Sequence, residues 1–298
     1  MKILITGANG LLGQKLAALL DQDPAVELIA TARGPFRGTL KNGTFRLLDI
    51  TIQEDVDSVI SEAKPEVVIN TAAMTQVDQC ETDREACWQA NVSAIEYLVG
   101  ACAIAGARLI HVSTDFIFDG TDGPLDETAV PNPVNYYGKS KLAGEQVIQK
   151  SNIDWCILRT VLVYGVTPDQ SRSNIVLWVK KSLEEKKKIN VVNDQWRTPT
   201  LAEDLAMGCA LAAKKKATGI YHISGEEMMT PYDIAIATAT QFRLDKSLIN
   251  QTDSTQFTQP AKRPPKTGFI VTKAKSALGY QPHTFKQGLQ LLASQLKG

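Results

Sequence analysis

Tyr137 and Lys141 stand four residues apart in the stretch Asn135-Tyr136-Tyr137-Gly138-Lys139-Ser140-Lys141. On a helix that spacing puts both side chains on one face, one turn apart. A lysine ammonium beside a phenol favours the phenolate, so the pair predicts a Tyr137 pKa lowered toward physiological pH. A phenol tuned in this way can serve as a general acid. Tyr136 has no such partner, since Ser140 lies four residues beyond it. The spacing arises by chance in a chain with 7 tyrosines and many lysines. It gains weight only if distant segments supply a cofactor site and a group that binds a substrate oxygen.

The N-terminus supplies the first. Lys2-Ile3-Leu4-Ile5-Thr6 reads as a short buried strand, and it runs into Gly7-Ala8-Asn9-Gly10-Leu11-Leu12-Gly13 before a helix-like stretch through Leu20. Strand, glycine turn and helix are the context of a dinucleotide-binding fingerprint, spaced here Gly-x-x-Gly-x-x-Gly. Gly7 permits the tight turn, Gly10 lets backbone approach a pyrophosphate, and Gly13 allows close helix–strand packing. The free N–H groups around Asn9, Leu11 and Leu12, with the helix dipole, attract phosphates. A carboxylate at the end of the second strand would bind a ribose hydroxyl and favour NAD. That region reads Leu28-Ile29-Ala30-Thr31-Ala32-Arg33-Gly34 and has none. Arg33 offers a fork of donors for a 2′-phosphate, so NADPH is the expected cofactor, with NADH the weaker one.

The second requirement is met at Leu109-Ile110-His111-Val112-Ser113-Thr114-Asp115. Ligands in open α/β sheets bind beyond the carboxyl ends of strands, where Thr114 would offer its hydroxyl to a substrate oxygen.

Together with residues 70–81, 113–120 and 137–145, and with Asp194-Gln195, Pro199-Thr200 and Arg263-Pro264, these segments resemble the extended short-chain dehydrogenase/reductase family. The resemblance covers essentially the whole chain and, within the family, is greatest to the rhamnose-pathway reductases. It implies reduction of the 4-keto group of a nucleotide-activated deoxysugar, with Thr114 orienting the carbonyl and Tyr137 protonating the forming alkoxide. Lys141 would tune Tyr137 and contact the nicotinamide ribose. Asp49 and Ile50 would contact the adenine, Ala72 and Ala73 would border the cofactor, and Asn91 would order the site. Thr75, Val77 and Asp78 fall in a loop matching the rhamnose-pathway enzymes. Asn174, Trp196 and Arg263 lie where a nucleotide diphosphate would need a cationic partner; Arg263 is the first candidate and Arg197 the second. Some relatives carry a glutamate, tied to a metal-bridged dimer, where this chain has Lys15, so no metal is expected.

Two other readings share the scaffold. An epimerase retains bound NAD, which the missing second-strand carboxylate disfavours. A dehydratase needs an acidic pair beside the catalytic hydroxyl, and Asp115 is followed by Phe116. A non-catalytic regulatory subunit that binds dinucleotide is the third reading, and the intact Thr114, Tyr137 and Lys141 argue against it.

The elements that must hold these residues alternate along the chain. Strand-like runs at 27–31, 45–48, 66–70, 108–112 and 154–159 are separated by helix-like stretches at about 53–63, 83–105 and 136–150. This alternation predicts an α/β fold, a doubly wound parallel sheet with helices on both faces. Beyond about 165 the pattern loosens, with a strand near 189–192, another at 219–225, and a helix after Pro282. The expected division is a dinucleotide-binding core of residues 1–165 with 198–225, and a smaller substrate-binding lobe of 166–197 with 226–298. At 298 residues, 44% apolar and 21% charged, the composition is that of a globular protein. Zero formal net charge argues against nucleic-acid binding. Five cysteines without a Cys-x-x-Cys pair give no zinc or disulfide framework. With no signal peptide and no long apolar run, a cytoplasmic monomer or homodimer acting on a nucleotide sugar, with no membrane partner, is expected.

Overall fold

A computed structural model describes residues 1–167 and 173–297. Seven parallel strands form the main sheet: β1 (Lys2–Thr6), β2 (Glu27–Ala32), β3 (Thr44–Leu47), β4 (Val67–Asn70), β5 (Arg108–Thr114), β6 (Trp155–Thr160) and β10 (Gly219–His222). Their spatial order is β10-β6-β5-β4-β1-β2-β3. The order runs outward in both directions from the β1–β4 pair, so the chain reverses there, as in doubly wound dinucleotide-binding sheets. The central strands read as nearly unbroken apolar runs because helices cover both faces. On one face lie α1 (Leu11–Leu20) and α8 (Ala202–Lys214), over a core that includes Ile3, Ile5, Leu16, Ile110 and Leu205. On the other lie α2 (Gln53–Ala63), α5 (Ala94–Ala105) and α6 (Tyr136–Gln149), around Leu4, Ile60, Val68, Ile95 and Leu109.

The helical stretch expected at 83–105 runs unbroken from Arg84 to Ala105 and widens once along the way. After the short α3 (Val77–Thr82), α4 (Arg84–Trp88) runs into a single π turn, Gln89–Ser93, before α5 begins. The widened turn buries Asn91.

Among the described residues the remaining elements include two short strand pairs and four α-helices. β7 (Val163–Tyr164) pairs with β9 (Thr200–Leu201), and β8 (Ile189–Val192) pairs with β11 (Ile249–Thr252). Helices α7 (Ile175–Glu184), α9 (Pro231–Phe242) and α11 (Phe285–Gln295) close two smaller apolar clusters around Tyr164, Val176, Leu289 and around Val179, Val191, Ile249. Of the 226–298 stretch assigned to the lobe, Phe269, Val271, Ala274, Leu278 and Tyr280, on and beside α10 (Thr272–Leu278), pack into the core of the main sheet instead. Among the described residues no helix is long and apolar enough to cross a membrane. All five cysteines are free and buried.

Candidate active site

The glycine turn lies at the carboxyl end of β1. Gly7 takes φ +71°, a conformation L-residues rarely adopt, and a Cβ there would stand 2.8 Å from Ala72 N. A Cβ on Gly13 would overlap the Gly7 carbonyl oxygen and stand 2.7 Å from Ala8 Cα, so only glycine lets α1 start this close to the strand. Gly10 is the N-cap of α1 and makes no side-chain cap, and the helix's first turn has no acidic residue. The helix therefore begins with backbone N–H groups of Leu11 and Leu12 that no side chain caps, a site suited to an anion. Asn9 does not stay in the turn. Its amide donates to Gly34 O (3.3 Å) and Pro35 O (2.9 Å), and it accepts from Arg37 N–H (2.8 Å). These bonds draw the loop after β2, with the exposed Arg33 at its start, against the glycine turn. Arg37, on the same loop, was not anticipated from the sequence. Asp49, beyond β3, is occupied in capping its own turn through Thr51 (3.0 and 2.7 Å), and Ile50 beside it is buried.

The chemistry-bearing residues converge across β4, β5 and α6. Asn135 caps α6 by accepting from Gly138 N–H (2.8 Å), and its amide donates to Lys262 O (2.8 Å). A Cβ on Gly138 would overlap the Phe116 carbonyl oxygen, so glycine at 138 is what lets the first turn of α6 sit against the end of β5. That contact brings Tyr137 and Thr114 together. The Tyr137 phenol is buried among Cys80, Cys87 and the edge of Phe116, whose ring centroid lies 5.9 Å away.

Here one sequence expectation is corrected. Burial, reinforced by the Asp115 carboxylate, holds the Tyr137 phenol well above its usual range, and only the Thr114 hydroxyl pulls it down. Lys141 is not among the groups that move it. The lysine Nζ instead lies 3.0 Å from His111 Nε2 and donates to Val112 O (2.8 Å). Burial lowers its pKa to about 8, against the opposing pull of Glu145. The i, i+4 spacing gave the face correctly but not the direction of the long lysine chain, which turns toward β5.

Thr114 Oγ1 donates to Asp115 Oδ1 (3.1 Å) and accepts from Phe116 N–H (3.2 Å). Asp115 is buried, accepts from the Thr267 hydroxyl, and faces Arg197 Nε at 3.7 Å. Desolvation raises its pKa, with Arg197 and the Thr267 and Thr114 hydroxyls opposing. Arg197, the second candidate for a diphosphate, is committed: it is buried and donates to Trp196 O (2.7 Å) and Pro264 O (2.7 Å).

Other predicted substrate contacts are also engaged. Arg263 holds Asp78 through Nη1 (2.5 Å) and Nη2 (2.7 Å), so the two neutralise each other instead of presenting a lone cation. Asn174 caps α7 by accepting from Val176 and Leu177 N–H, and it donates to Gly165 O (2.6 Å), leaving its side chain structural. Trp196 is 41% exposed and Thr75 is exposed, while Val77 opens α3. Ala72 and Ala73 lie partly exposed beyond β4. Asn91 is no surface amide. It accepts from Met74 N–H (2.9 Å) and donates to Met74 O and Ser140 Oγ (both 3.0 Å), clamping the loop after β4 to α6. Lys15 pairs with Glu203 at 2.8 Å.

The sequence reading gives His111, Asn70 and Thr6 no role in the site. The signal was present: Thr6, Asn70 and His111 are polar residues next to the apolar runs of three central strands. They are register partners across β1, β4 and β5.

Comparison with known proteins fits this geometry. The family model described as RmlD substrate binding domain matches residues 1–297. A dTDP-4-dehydrorhamnose reductase of Aggregatibacter actinomycetemcomitans is 33% identical over 301 residues, covering 97% of each chain. The methionine adenosyltransferase 2 subunit beta of Bos taurus is 35% identical over 251 residues, 83% of this chain and 73% of that protein. Among solved structures, a dTDP-4-dehydrorhamnose reductase from Clostridium acetobutylicum superposes with TM-score 0.90 at 31% identity over the whole of both chains. A dTDP-4-dehydrorhamnose reductase from Bacillus anthracis, solved in complex with NADP, gives 0.86 at 27% identity over 99% of each. Matched along nearly its whole length, the chain belongs to the RmlD substrate binding domain family, within the extended short-chain dehydrogenases/reductases.

Proposed function

We propose that this chain is an NADPH-dependent reductase of a nucleotide-activated 4-keto deoxysugar, with dTDP-4-dehydrorhamnose as substrate and dTDP-L-rhamnose as product. The observation that carries the reading is the meeting of Thr114 and the buried Tyr137 phenol at the end of β5, beside Lys141. The glycine turn fits a dinucleotide. Gly7 supplies the conformation, and the uncapped, acid-free start of α1 supplies donors for a pyrophosphate. Gly10, Leu11, Leu12 and Gly13 would line it, Asp49 and Ile50 would border the adenine, and Arg33 would meet the 2′-phosphate. The bound NADPH would supply the hydride to the carbonyl carbon.

The chain's own residues do the rest. The Thr114 hydroxyl is a rotor whose proton turns from Asp115 to a carbonyl oxygen. Asp115, fixed by Thr267 and Arg197, keeps that hydroxyl in place. As the carbonyl carbon accepts the hydride, its π electrons move to oxygen, and the Tyr137 O–H gives its proton to that oxygen. A phenol held above its usual pKa stays protonated at neutral pH, so its proton is in place to neutralise the alkoxide charge as it forms. The Asp78–Arg263 pair and the exposed Trp196 would border the nucleotide sugar.

The similarity to methionine adenosyltransferase 2 subunit beta favours a second reading, a dinucleotide-binding subunit without turnover. One assay separates the two: loss of NADPH absorbance with dTDP-4-dehydrorhamnose, run beside the UDP and GDP analogues. Tight NADPH binding with no oxidation by any keto-sugar nucleotide would replace the reductase with the regulatory subunit.

A further inference from the structure

A ladder of side-chain hydrogen bonds crosses three adjacent strands and ends on Lys141. Thr6 Oγ1 donates to Asn70 Oδ1 (2.5 Å), Asn70 Nδ2 lies 3.0 Å from His111 Nδ1, and His111 Nε2 lies 3.0 Å from Lys141 Nζ. All four residues are buried. The direction of each proton follows from one fixed donor. The Ala72 backbone N–H, which can only donate, also bonds Asn70 Oδ1 (3.2 Å), so that atom is the amide oxygen. Asn70 Nδ2 must then donate, and His111 Nδ1 must accept. A neutral imidazole that accepts at Nδ1 carries its proton on Nε2, aimed at Lys141. An ammonium has no lone pair to receive it. A neutral amine fits: its lone pair accepts from Nε2–H and one N–H donates to Val112 O.

We infer that Asn70 and His111 are positioning residues for the reaction proposed above: together they present a fixed N–H to Lys141 Nζ and hold that nitrogen as a free amine while the two side chains touch. The ammonium then forms only when Nζ moves off His111, so protonation and placement of the lysine are coupled. The other charged and titratable groups around Lys141 agree with this. Glu145, one turn on along α6, favours the ammonium but is matched by a buried Arg159 from β6 (2.7 and 3.0 Å). Cys87 from α4 and Cys80 from α3 also face it, and Tyr137 stands one turn before. Asp115, beyond β5, is directed at Thr114, Thr267 and Arg197. Burial drives both members of the contact toward their neutral forms, with His111 well below its ordinary pKa and Lys141 at about 8.

The test is the titration of Lys141 itself, followed by NMR on protein carrying isotope-labelled lysine, with Lys141→Met identifying the resonance. We expect a wild-type midpoint near 8. His111→Gln replaces the fixed N–H with an amide that can turn its oxygen to an ammonium. Asn70→Asp accepts from Nδ1–H and so leaves Nε2 as an acceptor. Each change should raise the midpoint by at least about one pH unit, a tenfold change in proton affinity, and should extend the alkaline limb of kcat/KM in the same direction. A wild-type lysine titrating near its ordinary ~10.4 would overturn the inference, as would an unmoved midpoint in whichever variants fold. The resonance reports on Lys141 whether or not any sugar is reduced. A midpoint near 8 without turnover would therefore leave the ladder standing and remove only the reductase reading.

Discussion

Asp78 and Arg263, 185 residues apart in the chain, hold each other through two parallel hydrogen bonds of 2.5 and 2.7 Å. The Arg263 guanidinium holds the Asp78 carboxyl below its usual range, and Ala261 N–H adds a third bond to the same carboxylate. The clasp ties the first turn of α3 to the C-terminal segment. Asp78 is 42% exposed at its side chain, so solvent screens the pair and its coupling should be about 1 kcal/mol or less. A double-mutant cycle of Asp78→Ala and Arg263→Ala in urea unfolding should return that value. Each single change should raise KM for the sugar nucleotide more than it lowers kcat. Single effects that simply add in the cycle would show that the clasp is ornamental.

Tyr137→Phe removes only the proton that the reaction needs at the carbonyl oxygen. We expect kcat to fall by ~10²–10⁴-fold, the range for loss of a general acid. NADPH binding, followed by fluorescence, should be unchanged because the glycine turn and α1 are untouched. A phenylalanine variant that turns over at the wild-type rate would assign the acid elsewhere.

Arg33 stands exposed at the start of the loop that Asn9 draws onto the glycine turn. If it meets a 2′-phosphate, Arg33→Ala should cost ~1.5–3 kcal/mol of NADPH binding, the worth of a charge-assisted hydrogen bond. That is roughly a 10–100-fold loss of preference over NADH in kcat/KM. Equal wild-type rates with the two cofactors would refute the assignment before any mutation is made.

His222 gives the fold an acid-sensitive point. It is buried, stacked 3.8 Å from the Phe269 ring, and bonded through Nδ1 to Leu125 O. Burial, with Arg159 nearby, lowers its pKa from 6.5 to about 3. Below pH 6.5 the unfolded imidazole takes up a proton that the folded one refuses, so stability falls as pH drops from 6.5 toward 3. Between pH 6.5 and 4.5 the loss from this residue should be ~2–3 kcal/mol. His222→Gln should flatten the difference in urea stability between pH 7 and 4.5 by that amount. An unchanged slope would place the acid sensitivity in other groups.

The sheet was legible because central parallel strands must be apolar along their length, and each such run ended in turn chemistry. The glycine turn was legible for the same reason: strand, turn and helix followed without a gap. Other features carry no such mark. The helix Ala202–Lys214 is alanine-rich and buried over most of its circumference, so it shows no polar face to betray its period. Arg197, Arg263 and Asn174 look like free polar groups in sequence, yet their partners lie at Pro264, Asp78 and Gly165. Tyr137 and Lys141 were found by spacing, but a spacing fixes which face a side chain leaves from and not where its last atom goes. His111 was visible as a polar residue in an apolar strand. Its meaning needed the register that sets it beside Asn70.

The π turn at Gln89–Ser93 has a mechanical consequence. It lets α4 and α5 follow one another while facing different neighbours, so that Asn91 meets Met74 and Ser140 and the apolar side of α5 still meets the sheet. Deleting one residue there would restore an ordinary α-helix and rotate everything on one side by about 100° relative to the other. Either Asn91 or α5 would lose its partner. At this point in the chain the number of residues is constrained as tightly as their kind, and the segment behaves as a gear tooth whose count cannot change.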